Sequence, residues 1–84
     1  MTIVSANRVA KIRELSENIK GSSEYNKYYM ETHIKTDGRW RFAGWYVPTE
    51  LCDAMLKTVK DKTYLVFSDT RYVMQDIHYE ILGL

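Results

Sequence analysis

An Asp37-Gly38 dipeptide between two alternating runs constrains the fold of this 84-residue chain more than any other feature. Both central residues of a two-residue type I′ turn need a positive φ, which glycine adopts freely and aspartate tolerates. The dipeptide therefore predicts a β-hairpin over residues 25–47, with Thr36 opposite Arg39. A type I turn followed by a bulge would shift this register by one residue.

The register from this turn divides the hairpin into two faces, because successive side chains of a strand point to opposite sides of the sheet. One face is mostly aliphatic and includes Met30, Ile34 and Trp45, so we expect it to face the core. The other face mixes aromatic rings with cations and a histidine, so we expect it to meet a partner. With two arginines beside the turn added, the predicted partner-binding residues are Tyr29, His33, Lys35, Arg39, Trp40, Arg41, Phe42 and Tyr46.

Two segments outside the hairpin carry helix signals. Ser5 is a good N-cap, apolar residues follow it at helical spacing, and Gly21 supplies a stop, which predicts a helix over residues 6–20. Pro48 suits the first turn of a helix, and apolar side chains then recur every fourth residue. This spacing predicts a second helix over residues 49–60.

The C-terminal third of the chain predicts at least one further strand. Residues 63–68 read TYLVFS and are rich in β-branched and aromatic side chains, which favours a strand. Residues 70–82 fit two patterns, since IHYEI alternates strictly while the apolar residues also fit a helical stripe. We favour the strand, which gives the order αββαββ. The expected fold is one domain over residues 1–84: an α+β two-layer sandwich, its four-stranded antiparallel sheet packed against two helices. The alternative order is αββαβα.

Overall charge and composition favour an ordinary globular protein. A net charge of +1 and a pI near 7.8 argue against a chain that binds nucleic acid through bulk charge, although residues 25–47 carry four basic and two acidic groups. The single cysteine excludes an internal disulfide and fits a reducing compartment. We find neither the apolar run of a membrane span nor the pattern of a signal peptide, so we expect a cytoplasmic protein without a membrane partner.

Residues with catalytic potential are few. Histidine titrates near neutrality, so an acid/base mechanism should involve His33 and His78, which could converge if their strands are neighbours, as in a metal-independent ribonuclease. A partly exposed strand histidine is the commoner case. One cysteine and two distant histidines cannot supply the three or four ligands of a metal site, and Cys52 is expected to pack at the edge of the second helix. We therefore expect no enzyme, no metal and no cofactor.

The hairpin instead suggests a binding function. We expect a small non-enzymatic regulatory or inhibitory protein, homodimeric, that binds a larger protein through the aromatic and basic face of residues 25–47. Tryptophan, tyrosine and arginine are the side chains that dominate protein interfaces. The same rings and cations also suit an RNA-binding regulator, because single-stranded RNA stacks on aromatic side chains of a sheet. The third explanation is that the rings belong to the core.

Overall fold

Strands dominate the computed structural model, which describes residues 2–24 and 26–84. The elements are β1 (Thr2–Val4), α1 (Ala6–Asn18), β2 (Met30–Thr36), β3 (Arg39–Tyr46), β4 (Ala54–Val59), β5 (Lys62–Val66), β6 (Thr70–Val73) and α2 (Asp76–Leu82). The six strands form one antiparallel sheet in the order β1-β4-β5-β6-β2-β3. Tyr25, at the predicted start of the hairpin, lies outside the described residues, as does Met1.

The predicted four-stranded sheet is wrong, and so is the predicted order αββαββ. The described residues form six strands in one sheet, and the helices stand near the two ends of the chain, in the order βαβββββα. The alternative order αββαβα is wrong for the same reason. The α1 and α2 helices contact each other and share one core with the sheet, so the two-layer α+β character is retained.

The first predicted helix and the predicted strand over 63–68 are confirmed. The Ser5 Oγ accepts the N–H of Arg8 at 3.3 Å and thereby caps α1, which ends at Asn18. The β5 strand covers most of the predicted strand. The β1 strand is an addition, because a strand of three residues is too short to show a periodic pattern.

The second predicted helix, over residues 49–60, is wrong, because these residues form a loop and then β4. A spacing of four places side chains on one face of a helix, but it also places them on one face of a strand. Met55 and Val59 lie on the side of β4 away from the core, whereas Ala54 and Leu56 contact the core. Because β4 pairs with both β1 and β5, its backbone groups are satisfied by neighbouring strands.

The loop before β4 connects the sheet to α1 through its acidic residues. The Tyr72 hydroxyl donates to Glu50, whose carboxylate oxygens both lie 3.0 Å away. Burial and this carboxylate raise the pKa of Tyr72 well above its ordinary value. Asp53 Oδ1 accepts the N–H of Ala6 at 2.9 Å, which satisfies a donor at the start of α1. Cys52, predicted to pack beside a helix, is exposed.

The C-terminal segment is a strand followed by a helix, so the favoured strand prediction is wrong for the residues of α2. Capping interactions at both ends of the seven-residue helix α2 favour a helix over a strand. The backbone N–H of Gln75 donates to Nδ1 of His78 at 3.1 Å, and Gly83, with a φ of 72°, ends the helix in the left-handed conformation. The alternation in IHYEI is therefore coincidental.

The central hairpin is confirmed by its turn. Asp37 and Gly38 have φ values of 53° and 75°, as the two positions of a type I′ turn require. Thr36 pairs with Arg39, and the predicted register holds as far as the pair of His33 with Phe42.

A bulge in β3 then shifts this register by one residue, between Thr32 and His33 on the opposite strand. Gly44, with a φ of 132°, lies at the bulge. Beyond it Trp45 pairs with Glu31, and Tyr46 is the residue that pairs with Met30. The predicted faces of Trp45 and Tyr46 are consequently wrong, because the two rings exchange sides.

The core lies between the helices and one face of the sheet, which we call the covered face. Val9 and Ile12 of α1 and Leu82 of α2 are buried against Met30 and Leu65 of the sheet. Neither helix covers the opposite face, which we call the open face, and neither is long and apolar enough to cross a lipid bilayer. The open-face residues are Ile3, Glu31, His33, Lys35, Trp40, Phe42, Trp45, Met55, Lys57, Val59, Lys62, Tyr64, Val66, Arg71 and Val73.

Candidate functional site on the open face

One row of paired residues crosses the open face from edge to edge. From β1 to β3, the row consists of Ile3, Met55, Val66, Arg71, His33 and Phe42. Paired residues of neighbouring strands point to the same side of a sheet, so these six side chains share one surface. The row is aliphatic at the β1 edge and aromatic at the β3 edge, with Arg71 between the two halves.

The guanidinium group of Arg71 lies between two aromatic rings. Its central carbon is 4.2 Å from the ring centre of Tyr64 on β5 and 4.6 Å from that of Trp40 on β3. The β5 and β3 strands lie on opposite sides of β6, so the rings approach the cation from two directions. Both separations are well inside the range of a cation–π interaction.

Arg71 is also held by a hydrogen-bonded chain. Its Nε–H donates to Nδ1 of His33 at 2.8 Å, and Nε2 of His33 lies 2.7 Å from a Glu31 carboxylate oxygen. Because Nδ1 of His33 accepts a hydrogen bond, the neutral imidazole carries its proton on Nε2. This N–H donates a hydrogen bond to Glu31. His33 therefore acts as a bridge that fixes the direction of the Arg71 side chain.

The two histidines of the ribonuclease hypothesis lie on different sides of the sheet. His78 is fully buried in α2, where Nδ1 accepts the N–H of Gln75 and Nε2 donates to the carbonyl of Tyr28 at 2.9 Å. Burial lowers the pKa of His78 below its ordinary value, although the bond to the Tyr28 carbonyl acts in the opposite direction. His33 and His78 thus do not converge, and each uses both ring nitrogens within the fold.

Half of the predicted partner-binding residues lie together on the open face. His33 and Trp40 belong to the cluster around Arg71. Lys35 lies over Trp40, with Nζ 5.5 Å from the ring centre. Phe42 is 62% exposed near the β3 edge. The hairpin therefore contributes rings and cations to this face, as its alternation predicted.

The other predicted residues lie elsewhere. Arg39 and Arg41 pair with Thr36 and Ile34 and project, exposed, toward the covered-face side of β3. Tyr46 projects to that side too, with its ring over Gly44. Tyr29 precedes β2 and, with Asn26 and Trp45, lines a surface depression of about 350 Å³.

The sequence analysis missed the residues that β4, β5 and β6 add to the open face. The predicted contacts do not include Tyr64, Arg71 or Lys57, and the predicted register places Trp45 on the core face. The alternation in TRYV, in which buried Tyr72 follows Arg71, would have placed Arg71 on an outer surface. The pairing of β6 with β2, however, joins residues far apart in sequence, and no local pattern signals it.

A groove lies next to Arg71. It has a volume of about 280 Å³ and is lined by Trp40, Lys57, Val59, Tyr64, Val66 and Arg71. Lys57 pairs with Tyr64 across the two strands that form one side of the groove. The groove therefore combines two cations with aromatic and aliphatic walls.

The open face combines a positive net charge with exposed apolar side chains. Its side chains include four cations, Lys35, Lys57, Lys62 and Arg71, against one carboxylate, Glu31, which gives the open face a net charge of +3. Four large apolar side chains on this face are between 42% and 62% exposed. They are Ile3, Phe42, Trp45 and Val59. Ile3 and Val59 lie toward the β1 edge and Phe42 and Trp45 on the β3 edge, so exposed apolar groups stand on both sides of the central cations.

Neither a metal site nor a relative helps to interpret this face. Within residues 2–24 and 26–84, the structure has no group of three or more side chains suited to hold a metal ion. Comparisons with models of protein families, with curated proteins and with solved structures find no match for this chain.

Proposed function

We propose that this chain is a small non-enzymatic interaction module that regulates or inhibits a larger protein by binding it through the open face. The observation that carries the proposal is the position of Arg71, held between Trp40 and Tyr64 at the middle of an uncovered sheet. Arginine, tryptophan and tyrosine are the side chains that contribute most to binding energy at protein interfaces. The exposed apolar side chains around this cluster supply further contact area.

An RNA-binding function is the second candidate, because the open face has a net charge of +3 and several aromatic rings. Bases, however, stack on free ring faces. Tyr64 is only 7% exposed, and the rings of Trp40 and Tyr64 already contact the Arg71 guanidinium. Phe42 and Trp45 remain as half-exposed rings, both on the edge strand β3. The arrangement therefore favours a protein partner.

The charge also favours a different protein over a second copy of the chain. Two open faces placed against each other would bring two sets of like charges together, which costs energy unless counterions intervene. A partner with acidic residues around an apolar patch complements both properties of the open face. Self-association through this face is an outcome that sedimentation of the purified chain would reveal as a mass that rises with concentration.

The proposal is tested by capturing partners from a lysate of the organism that encodes the chain. We expect the wild-type chain to retain a protein after nuclease treatment, and we expect the Phe42→Ser, Trp45→Ser double variant to lose it. The matched control is the Arg39→Ser, Arg41→Ser double variant, which changes the other side of the same strand and should retain the partner. Capture that disappears on nuclease treatment would support the RNA candidate, and capture that survives the Phe42 and Trp45 changes would contradict the proposed face.

A further inference from the structure

Arg71 and Lys57 have no acidic partner in the part of the chain that the structure describes. Glu31 contacts the imidazole of His33, and no carboxylate oxygen of the described residues lies within 4.0 Å of either groove cation. Arg71 is nevertheless partly buried, with aromatic rings and a neutral imidazole as its neighbours. A cation in this setting lacks the counter-charge that partly buried arginines normally have.

The free end of the Arg71 guanidinium is available to a ligand. Its Nε–H is used by His33, and the two Nη groups make no hydrogen bond within the described residues. No buried nitrogen or oxygen of a described side chain lacks a partner, so these Nη groups contact solvent. Two parallel N–H donors match the two oxygens of a carboxylate. Because the rings and His33 already fix the side chain, little entropy is lost when it binds.

The dimensions and walls of the groove limit what it can hold. Its volume of about 280 Å³ is sufficient for one side chain. Lys57 adds a second cation, while Val59 and Val66 provide aliphatic walls. Aliphatic walls suit the methylene groups of an acidic side chain and apolar residues next to it, whereas a nucleotide would bring a polar sugar against them.

We propose that this groove is a carboxylate subsite that binds an aspartate or glutamate side chain of the partner protein, which pairs with Arg71 and Lys57 and is flanked by apolar residues. The inference rests on the proposed function and adds the chemistry that the partner must present. Charge complementarity favours an acidic occupant, because the groove contains two cations without an acidic partner. These cations are part of the net charge of +3 on the open face.

The test is an NMR titration of the isotope-labelled chain with the capped peptide acetyl-Leu-Glu-Leu-amide and, in parallel, with acetyl-Leu-Gln-Leu-amide. The Nε–H of Arg71 and the indole N–H of Trp40 report on the groove. We expect the glutamate peptide to shift both signals saturably and the glutamine peptide to bind at least tenfold more weakly. An octauridylate titration tests whether RNA binds there instead.

Variants separate the groove from general charge. We expect Arg71→Met and Lys57→Met each to weaken binding of the glutamate peptide at least fivefold, whereas Lys62→Met, which removes an open-face cation outside the groove, should change it less than twofold. If Arg71→Met does not fold, as judged from its amide spectrum, Lys57→Met carries the test alone. Equal affinity for the two peptides, an unaffected Lys57→Met variant or tighter binding of octauridylate at these signals would overturn the subsite.

Failure of the subsite and failure of the proposed function give different results. If Lys57→Met retains the captured partner at full affinity and the Phe42→Ser, Trp45→Ser variant loses it, the subsite is overturned and the interaction module stands. If the Phe42 and Trp45 changes leave capture intact, the proposed function itself fails.

Discussion

Leu65 and Val66 are neighbours on β5, yet they belong to surfaces of different construction. Leu65 is fully buried on the covered face between the sheet and the helices, while Val66 lines a groove on the open face. The covered face obtains its stability from close apolar packing. The open face is held by a chain of side chains around Arg71 and leaves large apolar groups exposed. The comparison indicates that the covered face maintains the fold, which leaves the open face available for the binding that we propose.

The largest expected difference in stability is between truncation of Leu65 and truncation of its neighbour Val66. We expect Leu65→Ala to lower the free energy of unfolding by about 3 kcal/mol, since it removes buried apolar contacts and leaves a cavity. Val66→Ala on the open face should cost about 1 kcal/mol or less. Urea unfolding of both variants measures the difference. Equal losses of unfolding free energy would contradict the conclusion that the covered face maintains the fold.

A smaller effect is expected at the bulge that assigns Trp45 and Tyr46 to their faces. An alanine at position 44 would have to adopt a φ of 132°, and its Cβ would lie 2.9 Å from a ring carbon of Tyr46. We expect Gly44→Ala to destabilise the fold by about 1 to 3 kcal/mol, as backbone strain of this kind does. Addition of Tyr46→Ala should restore only part of the loss in urea unfolding, because the backbone strain remains. A Gly44→Ala variant with wild-type stability would contradict the bulge.

The covered face should also respond to acid through His78. Its pKa is lowered in the folded state, so between the ordinary value of 6.5 and the folded value the unfolded chain binds more protons. Stability from neutral His78 is therefore complete above 6.5 and is lost as the pH falls through the folded pKa. We expect His78→Gln to show a smaller loss of unfolding free energy between pH 7.5 and pH 5 than the wild type. The carboxylates of the wild type and of His78→Gln titrate alike, so a difference between the two proteins reports on His78. Equal losses of unfolding free energy in this pH range would contradict the role of His78.

The smallest effect on stability is expected at the centre of the open face. Arg71→Met loses one hydrogen bond and two cation–π contacts at a partly exposed site, which should cost about 1 kcal/mol. Lys62→Met on the same face should change the unfolding free energy by less than about 0.5 kcal/mol. A loss of 3 kcal/mol or more for Arg71→Met in urea unfolding would place Arg71 among the groups that maintain the fold.

Local turn chemistry explains which parts of the fold the sequence predicts. The Asp37-Gly38 turn has a strong signal, so its hairpin and the register near it are predicted correctly. The hairpin of β4 and β5 turns at Lys60, which has a φ of 59° without being glycine or asparagine, and therefore gives no such signal. A spacing of four between apolar residues then fits a helix as well as a strand, which is why the predicted helix over residues 49–60 is wrong.

The candidate site shows the same limit. Rings and cations of the hairpin are visible from alternation alone, but the register beyond Gly44 depends on a bulge, and this moved Trp45 to the open face. Arg71 reaches His33 across 38 residues of chain, through the pairing of β6 with β2. Such a contact depends on the order of strands in the sheet, which local periodicity does not specify.

The most direct test of the binding face is a cross-saturation NMR measurement on the labelled chain in complex with its captured partner. We predict that saturation transferred from the partner reduces the signals of Phe42, Trp45 and the Trp40 indole, and leaves those of α1 and α2 unchanged. A footprint confined to the helices would contradict the assignment of binding to the open face.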